Sequence, residues 1–429
     1  MEFQVQGIDI SELAAEYGTP LYVYDGDELA GRLVGLRERL CPELEIFFSL
    51  KSNPNLSICA LLSGHGARAE VSSMSELLTA RRAGLAPRDI IFVGPGKSRT
   101  ELAACLDEGI YAIVCESFGE LDVIEEMAAA RAVVAPVALR INPAFSVKGS
   151  GLTMGGKPRQ FGIDEERLLD ADGLVLRYRH VRFMGVQVYM GTRILDEEPI
   201  VENTRRILAT AEVLSDRLGF GLEMVDVGGG LGVAYFEGER DLDVDLLAAR
   251  LNPVVAEFHA RHPETRLVME LGRFLTAMSG TYVVRVQYVK DSRGQNFAVT
   301  DGGTNHHMAA VGVGSFVKRN FPIELLNRVD EPAVESWHVA GPLCTPNDLL
   351  GKNVALPPVR VGDLVGVRRS GAYGPTASPT LFLGHGCPAE VLVHNGQSYL
   401  VRERDRPEDL LARQHLHSLA TLTTARTTR

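Results

Sequence analysis

The sequence predicts an α/β protein: a closed (β/α)8 barrel of TIM type, joined to a second, β-rich domain of sandwich or barrel-like form. Three observations carry this. Between Ile46 and Val227, short apolar runs alternate with segments of helical periodicity, and regular alternation of this kind implies a parallel sheet with helices outside it. The number of strands fits a closed barrel better than a doubly wound sheet. After Arg273 strand-like runs dominate, which sets a separate domain there. The expected boundaries are 26–275 for the barrel, with 1–25 and 276–429 together forming the second domain.

Taken in order, Gly18-Thr19-Pro20 opens a strand that runs to Asp25, and residues 27–40 have helical character. Ile46-Phe47-Phe48-Ser49-Leu50 is brief, aromatic and β-branched, and Ser52-Asn53-Pro54-Asn55 closes it, as in a buried strand. This run delivers Lys51 to a strand's C-terminal end, where barrels place their chemistry. Helix and strand then follow as 55–63 and 67–71, 75–83 and 90–93, 100–108 and 112–114, 118–130 and 137–141, 167–174 and 183–189, 200–218 and 224–227. Val268-Met269-Glu270 ends the last barrel strand. Downstream strands are expected at 281–289, 296–300, 335–339, 364–367, 381–383, 390–394 and 397–402. A short helix from about Pro407 and a Thr/Ala/Arg-rich, fraying tail complete the chain.

Of 429 residues 45% are hydrophobic and 23% charged, an ordinary soluble composition. The formal charge of −11 argues against a nucleic-acid partner, which needs a basic surface to replace counterions. No run approaches the roughly 18 apolar residues of a membrane span. The start MEFQVQGIDI lacks a basic-then-apolar signal pattern, so a cytoplasmic protein with no membrane partner is expected. The six cysteines show no CxxC or zinc-type spacing. Five are expected in the core, and Cys344 stands apart in the polar, Gly/Pro-flanked loop 341–348, where an exposed thiol can donate a proton.

Several strand ends carry chemistry. Burial would lower the pKa of Lys51, and a neutral amine attacks carbonyls to form a Schiff base. In Val225-Asp226-Val227-Gly228-Gly229-Gly230 a strand enters a glycine turn, which suits a phosphate cradle or a tight barrel turn. It lacks the GxGxxG spacing of a dinucleotide site. Glu270-Leu271-Gly272-Arg273 pairs a carboxylate able to hold a pyridine nitrogen with a guanidinium suited to phosphate, or else forms a surface ion pair. Tyr189 can stack on a flat ring or serve as core, Thr192 can bond a phosphate, and Glu70 and Arg140 end two further strands. His306 and His307 are adjacent and diverge on an extended segment, a poor arrangement for a metal.

Together, Lys51, the glycines 228–230, Glu270-Leu271-Gly272-Arg273, Cys344 and Gly371-Ala372-Tyr373 resemble the fold-type III pyridoxal-phosphate decarboxylases, the family of diaminopimelate, ornithine and arginine decarboxylases. The motifs fall in family order over nearly the whole chain. The resemblance implies pyridoxal 5'-phosphate on Lys51, with Gly228, Gly229, Gly230, Thr192, Arg273 and Tyr373 at its phosphate. It also implies Glu270 at the ring nitrogen, and Glu70 and Arg140 in support. Tyr189 stands where most relatives stack a histidine, and Gly272 keeps its place in the Glu-Leu-Gly-Arg motif. A homodimer with shared active sites is implied, Cys344 entering the partner's site to protonate the carbanion.

Two departures bear on substrate. The segment after Asp301-Gly302-Gly303 lacks the Arg-Pro-x-Leu-Tyr with which diaminopimelate decarboxylases hold a distal carboxylate. Thr345-Pro346 follows Cys344 in place of Glu-Ser, or of the aspartate of ornithine decarboxylases. Residues 188–192, 155–162, His306-His307 and Cys344-Thr345-Pro346 are similar to the butirosin-pathway branch, which decarboxylates a glutamyl group tethered to an acyl-carrier protein. The expected activity is α-decarboxylation of a small amino acid or of a carrier-protein-bound aminoacyl group, in antibiotic or other specialised biosynthesis. Alternatives are a diaminopimelate, lysine or ornithine decarboxylase of primary metabolism, a racemase of the same fold, or a non-catalytic cofactor-binding regulator. Lys97, Arg159 and His307 are candidate distal contacts.

Overall fold

In the computed structural model, which describes residues 1–145, 152–153, 155–311 and 319–417, eight parallel strands close into a barrel. The first long strand, β1 (Leu21–Asp25), lies outside it. The barrel comprises β2 (Leu44–Ser49), β3 (Arg68–Val71), β4 (Ile90–Phe92), β5 (Ala112–Cys115), β6 (Ala135–Asn142), β7 (Val181–Gln187), β8 (Met224–Gly229) and β9 (Arg266–Leu271). Neighbours pair in that order, β9 returns to β2, and β5 pairs with β6 through Ile113 and Val137.

The strands are apolar on both faces, and the two faces have different neighbours. Phe47, Ile91, Ala112, Val114, Ala138, Met184, Met224 and Val268 point inward and pack together in the barrel interior. Their chain neighbours, such as Ile46, Phe48, Ile113, Leu139, Val225 and Met269, pack outward in the layer shared with the helices. This is the period-2 alternation of a strand covered on both sides.

Following each inward column toward its strand's C-terminal end, the residue type changes from apolar to polar. Val268 is followed two residues on by Glu270, Ala138 by Arg140, Met224 by Asp226 and Val114 by Glu116. Glu70 lies opposite in parity to the outward Ala69 and Val71, and Gln187 opposite to the outward Val186 and Val188. Phe47 leads to Ser49 and then to Lys51, which sits in a single 3-10 turn, Leu50–Ser52. One polar layer thus caps an apolar barrel at the end where such folds act.

The second domain is built around the long strand β10 (Gly280–Ser292), with β11 (Gln295–Thr300), β12 (Ile323–Leu325), β13 (Glu335–Ala340), β14 (Leu349–Leu356), β15 (Leu364–Arg368), β16 (Ala389–His394) and β17 (Gln397–Arg402). Its sheet runs β14-β13-β11-β10-β1-β16-β17, and β15 pairs with both β10 and β12. β1 is antiparallel to β10 and parallel to β16, with Val23 opposite Thr281 and Val391.

Some expectations are corrected. Residues 381–383 do not form the expected strand; Phe382–Gly384 is a 3-10 turn with Leu381, Phe382 and Leu383 exposed, so this apolar run is not buried. The helix expected at 167–174 is two short helices, Glu165–Leu169, capped by Asp170, and Leu174–Arg177, preceded by Gly173 at φ 68. Helices Ile10–Tyr17 and Val244–Arg261 were not anticipated, the second having Pro253 within it. Cys59, Cys105 and Cys115 are buried, but Cys41 and Cys387 are only partly so. The helix Pro407–Leu411 is present, and the tail from residue 418 lies outside the described residues. Among the described residues no helix is long and apolar enough to cross a membrane.

Candidate active site

A cavity of about 530 Å3 opens over the polar layer. Lys51, Arg140, Gln187, Tyr189, Thr192, Glu270, Arg273 and Tyr373 line it, together with Lys97, Glu101 and Phe161. The size suits a cofactor and a small substrate. A larger opening, of about 870 Å3, lies at the strands' N-terminal ends, where Arg68 and Arg266 pair with Glu45. That end of a barrel serves stability.

Lys51 Nζ donates to Glu70 Oε2 at 2.8 Å and stands 5.9 Å from the centre of the Tyr189 ring. Glu70 is fully buried, and its other oxygen accepts from Ser72 Oγ at 2.8 Å. The expected lowering of the Lys51 pKa is overturned. Burial acts in that direction, but the charges of Glu70 and Glu270 outweigh it and hold the ammonium above its ordinary value. Glu70 is correspondingly lowered: burial opposes its ionisation, and Lys51 with the hydroxyls of Ser49 and Ser72 prevails.

Glu270, 2% exposed, accepts from Gln187 Nε2 at 3.0 Å. Beneath it lies Asp226, fully buried, whose Oδ1 accepts from Gly228 N at 2.8 Å. Both carboxyls are raised, by burial first and then by like charge: Glu70 acts on Glu270, and Glu270 on Asp226. Burial and like charge thus disfavour ionising both acids at once. Arg140 Nη1 donates to Glu116 Oε1 at 2.8 Å, and its guanidinium lies 4.7 Å over the Phe161 ring.

The second domain completes the wall. Tyr373 is held at φ 55, a strained conformation for an aromatic residue, by its N–H to Ser52 O at 2.7 Å. Arg273 lies 4.7 Å over its ring and donates to Tyr235 OH at 3.0 Å, while Arg273 Nε is buried without a partner. Burial pushes Tyr189 up to about 12 and keeps it neutral.

The sequence-derived residues do not all share the cavity. Glu70 stands behind Lys51, and Gly228, Gly229, Gly230 and Gly272 are not in the lining. The glycines' small size serves packing: a Cβ on Gly229 would sit 1.7 Å from Glu270 O, one on Gly230 2.2 Å from Gly191 O, and one on Gly272 2.8 Å from Ser52 Cβ. Gly228 and Gly230 also adopt φ of 68 and 91. Cys344 is exposed and outside the lining. Lys97 is withdrawn, donating to Glu120 Oε1, Gly94 O and Val114 O at 2.6–2.7 Å. His307 is buried with Nε2 2.7 Å from Ser370 Oγ, and His306 lies between Tyr282 OH and Gly386 O. Burial pushes both histidines down to about 4. Asp226, Gln187 and Glu116 were missed, although each is a polar residue at inward parity near the end of an apolar strand.

This polar layer fits pyridoxal phosphate. A lysine amine, a buried carboxyl held from behind, a flat aromatic ring and an arginine with an unpartnered Nε converge on one cavity. Residues 30–277 match the family model of the pyridoxal binding domain of pyridoxal-dependent decarboxylases. The chain is 39% identical over 410 residues to the L-glutamyl-[BtrI acyl-carrier protein] decarboxylase of Niallia circulans, covering 95% of this chain and 96% of that one. It is 29% identical to the diaminopimelate decarboxylase of Aquifex aeolicus, covering 94% and 93%. The solved diaminopimelate decarboxylase of Methanocaldococcus jannaschii superposes with a TM-score of 0.88 at 28% identity, covering 97% of this chain and 96% of that chain.

Proposed function

Because the chain belongs to the fold-type III pyridoxal-phosphate-dependent decarboxylases, we propose that its substrate is an aminoacyl group tethered by its distal end to a carrier protein, in specialised-metabolite biosynthesis. One observation carries the reading: the charged side chains described in the cavity wall are already committed. Lys51 pairs with Glu70, Arg140 with Glu116 and Lys97 with Glu120. Arg273 bonds Tyr235 and is the cation fitted to the cofactor's phosphate. Glu101 caps two helices through Ser98 and Met74, and Glu270 is bound to Gln187. A free diamino acid brings an ammonium, and diaminopimelate a second carboxylate as well, each of which needs an opposite charge when desolvated. A thioester does not. Loss of the α-carboxylate requires that group to be free, so a glutamyl substrate must be attached through its distal carboxyl. The similarity to the glutamyl-carrier-protein enzyme supports this.

When bound, pyridoxal phosphate supplies an electron sink for the pair left at Cα as CO2 departs. Lys51 would hold the cofactor through its aldehyde, and Glu70 fixes the lysine amine at 2.8 Å. Glu270, oriented by Gln187, would hold the pyridine nitrogen. Arg273, Tyr373 and Thr192, which line the cavity, would hold the phosphate, and Tyr189 would support the ring. Cys344 of a second protomer would deliver a proton to Cα, a reading supported by its exposure and its place outside its own chain's cavity.

The test follows the label. With substrate carrying 13C in the α-carboxyl, in D2O, the enzyme releases labelled CO2 and retains one deuterium at Cα of the product. Deuterium entering Cα with the carboxyl retained would mark a racemase and overturn the reading.

A further inference from the structure

We propose that Asp348 is the positioning residue for Cys344, its buried carboxylate locking the 341–348 loop to the 301–307 segment so that the thiol is presented at a fixed place. The inference rests on the reading of Cys344 as proton donor. Asp348 is 3% exposed. Its Oδ1 accepts from Thr304 N at 2.8 Å and from Thr304 Oγ1 at 2.9 Å, and its Oδ2 accepts from Leu343 N at 2.7 Å. Its own backbone closes the loop: Gly341 N donates to Asp348 O at 3.1 Å, and Asp348 N donates to Thr345 O at 3.2 Å.

Two glycines make room for the carboxylate. A Cβ on Gly303 would lie 2.3 Å from Asp348 Oδ1, and one on Gly341 2.4 Å from Oδ2. Among the described residues no cation pairs with Asp348, so its charge is met by these hydrogen bonds. Burying a carboxylate is a costly way to fold a surface loop. The group it fixes most directly is Cys344, which lies between the bonded Leu343 and Thr345 and is itself exposed. A thiol that must meet Cα inside another protomer works only if its loop has one shape, because catalytic contacts lose rate steeply with displacement. Asp348 is absent from the cavity lining, so its effect on the reaction is indirect, by way of the loop it fixes.

The test is a double-mutant cycle in the cofactor-loaded enzyme with C344A, D348N and D348N/C344A, and with T304V as a gentler cut of the same lock. D348N keeps the shape but cannot accept at both positions. It is expected to lower kcat about tenfold with KM and the bound cofactor's absorbance unchanged, and the double mutant to be no slower than C344A. T304V is expected to lose about two- to threefold in kcat by the same criterion. If the D348N and C344A losses multiply, or D348N turns over like the unaltered enzyme, Asp348 does not act through the thiol and the inference falls alone. If C344A itself is without effect, the reading of Cys344 falls and the inference with it. Should D348N fail to fold, T304V decides: a rate equal to the unaltered enzyme overturns the inference.

Discussion

Lys51 and the acids around it set the electrostatics of the site. Two carboxylates hold the amine charged, one of them at 2.8 Å, so the lysine is kept in place by attraction. Lys51→Ala is expected to abolish the visible-edge absorbance of the lysine-bound cofactor and to cut turnover by several orders of magnitude. A surviving absorbance band would remove Lys51 from its role. Glu76 sits behind this group, accepting from Ser72 N at 2.7 Å, and burial followed by the charge of Glu70 pushes its carboxyl from the ordinary 4.5 up to about 7. Between those two pH values the folded protein holds a proton that the unfolded chain has released. Stability therefore falls as pH rises from about 4.5 to about 7. Unfolding midpoints at the ends of that window are expected to drop further for the unaltered protein than for E76Q, which cannot titrate. Equal drops would show that Glu76 has no such shift.

At the scale of elements, the strand ends divide the legible from the illegible. Lys51, Glu70, Arg140 and Glu270 could be placed from sequence because each closes a short apolar run. The same rule points to Glu116, Gln187 and Asp226, but reading them requires the inward parity of each strand. The β-bulge between Phe183 and Gly185 in β7 disturbs that parity for Gln187. The glycines 228–230 were recognisable as special, although the backbone neighbours that require them, Val188 O, Glu270 O and Gly191 O, come from other strand ends and have no local signal. Gly229→Ala is thus expected to disturb the β8–β9 pairing and lose cofactor binding, measured by cofactor titration. Tight binding by G229A would show that the strand can yield. Glu116 binds Arg140 in a place where both side chains are under 10% exposed, at 2% and 7%. Glu116→Ala leaves that guanidinium buried and uncompensated, and a loss of about 3 kcal/mol in chemical denaturation is expected. A loss within 0.5 kcal/mol, about the level of an exposed pair, would contradict it.

For the whole molecule, the βα alternation made the barrel legible, and the change of pattern after Arg273 did the same for a second domain. The place of β1 was harder to read: its partners Thr281 and Val391 lie hundreds of residues away in the chain. Within one chain the thiol of Cys344 is exposed and apart from the cavity, so the role that the resemblance implies for it calls for a second protomer. If it acts across protomers, mixing K51A with C344A is expected to restore activity. Random exchange makes half the dimers hybrid, each with one intact site of two, so about a quarter of all sites work. No recovery on mixing would confine the chemistry to one chain. The substrate claim rests on a cavity whose described charges are already paired, and CO2 release from L-glutamate attached through its distal carboxyl to a carrier protein tests it most directly, beside free L-glutamate and diaminopimelate. The account predicts rapid release from the tethered group and little from either free acid; efficient release from free diaminopimelate would contradict it.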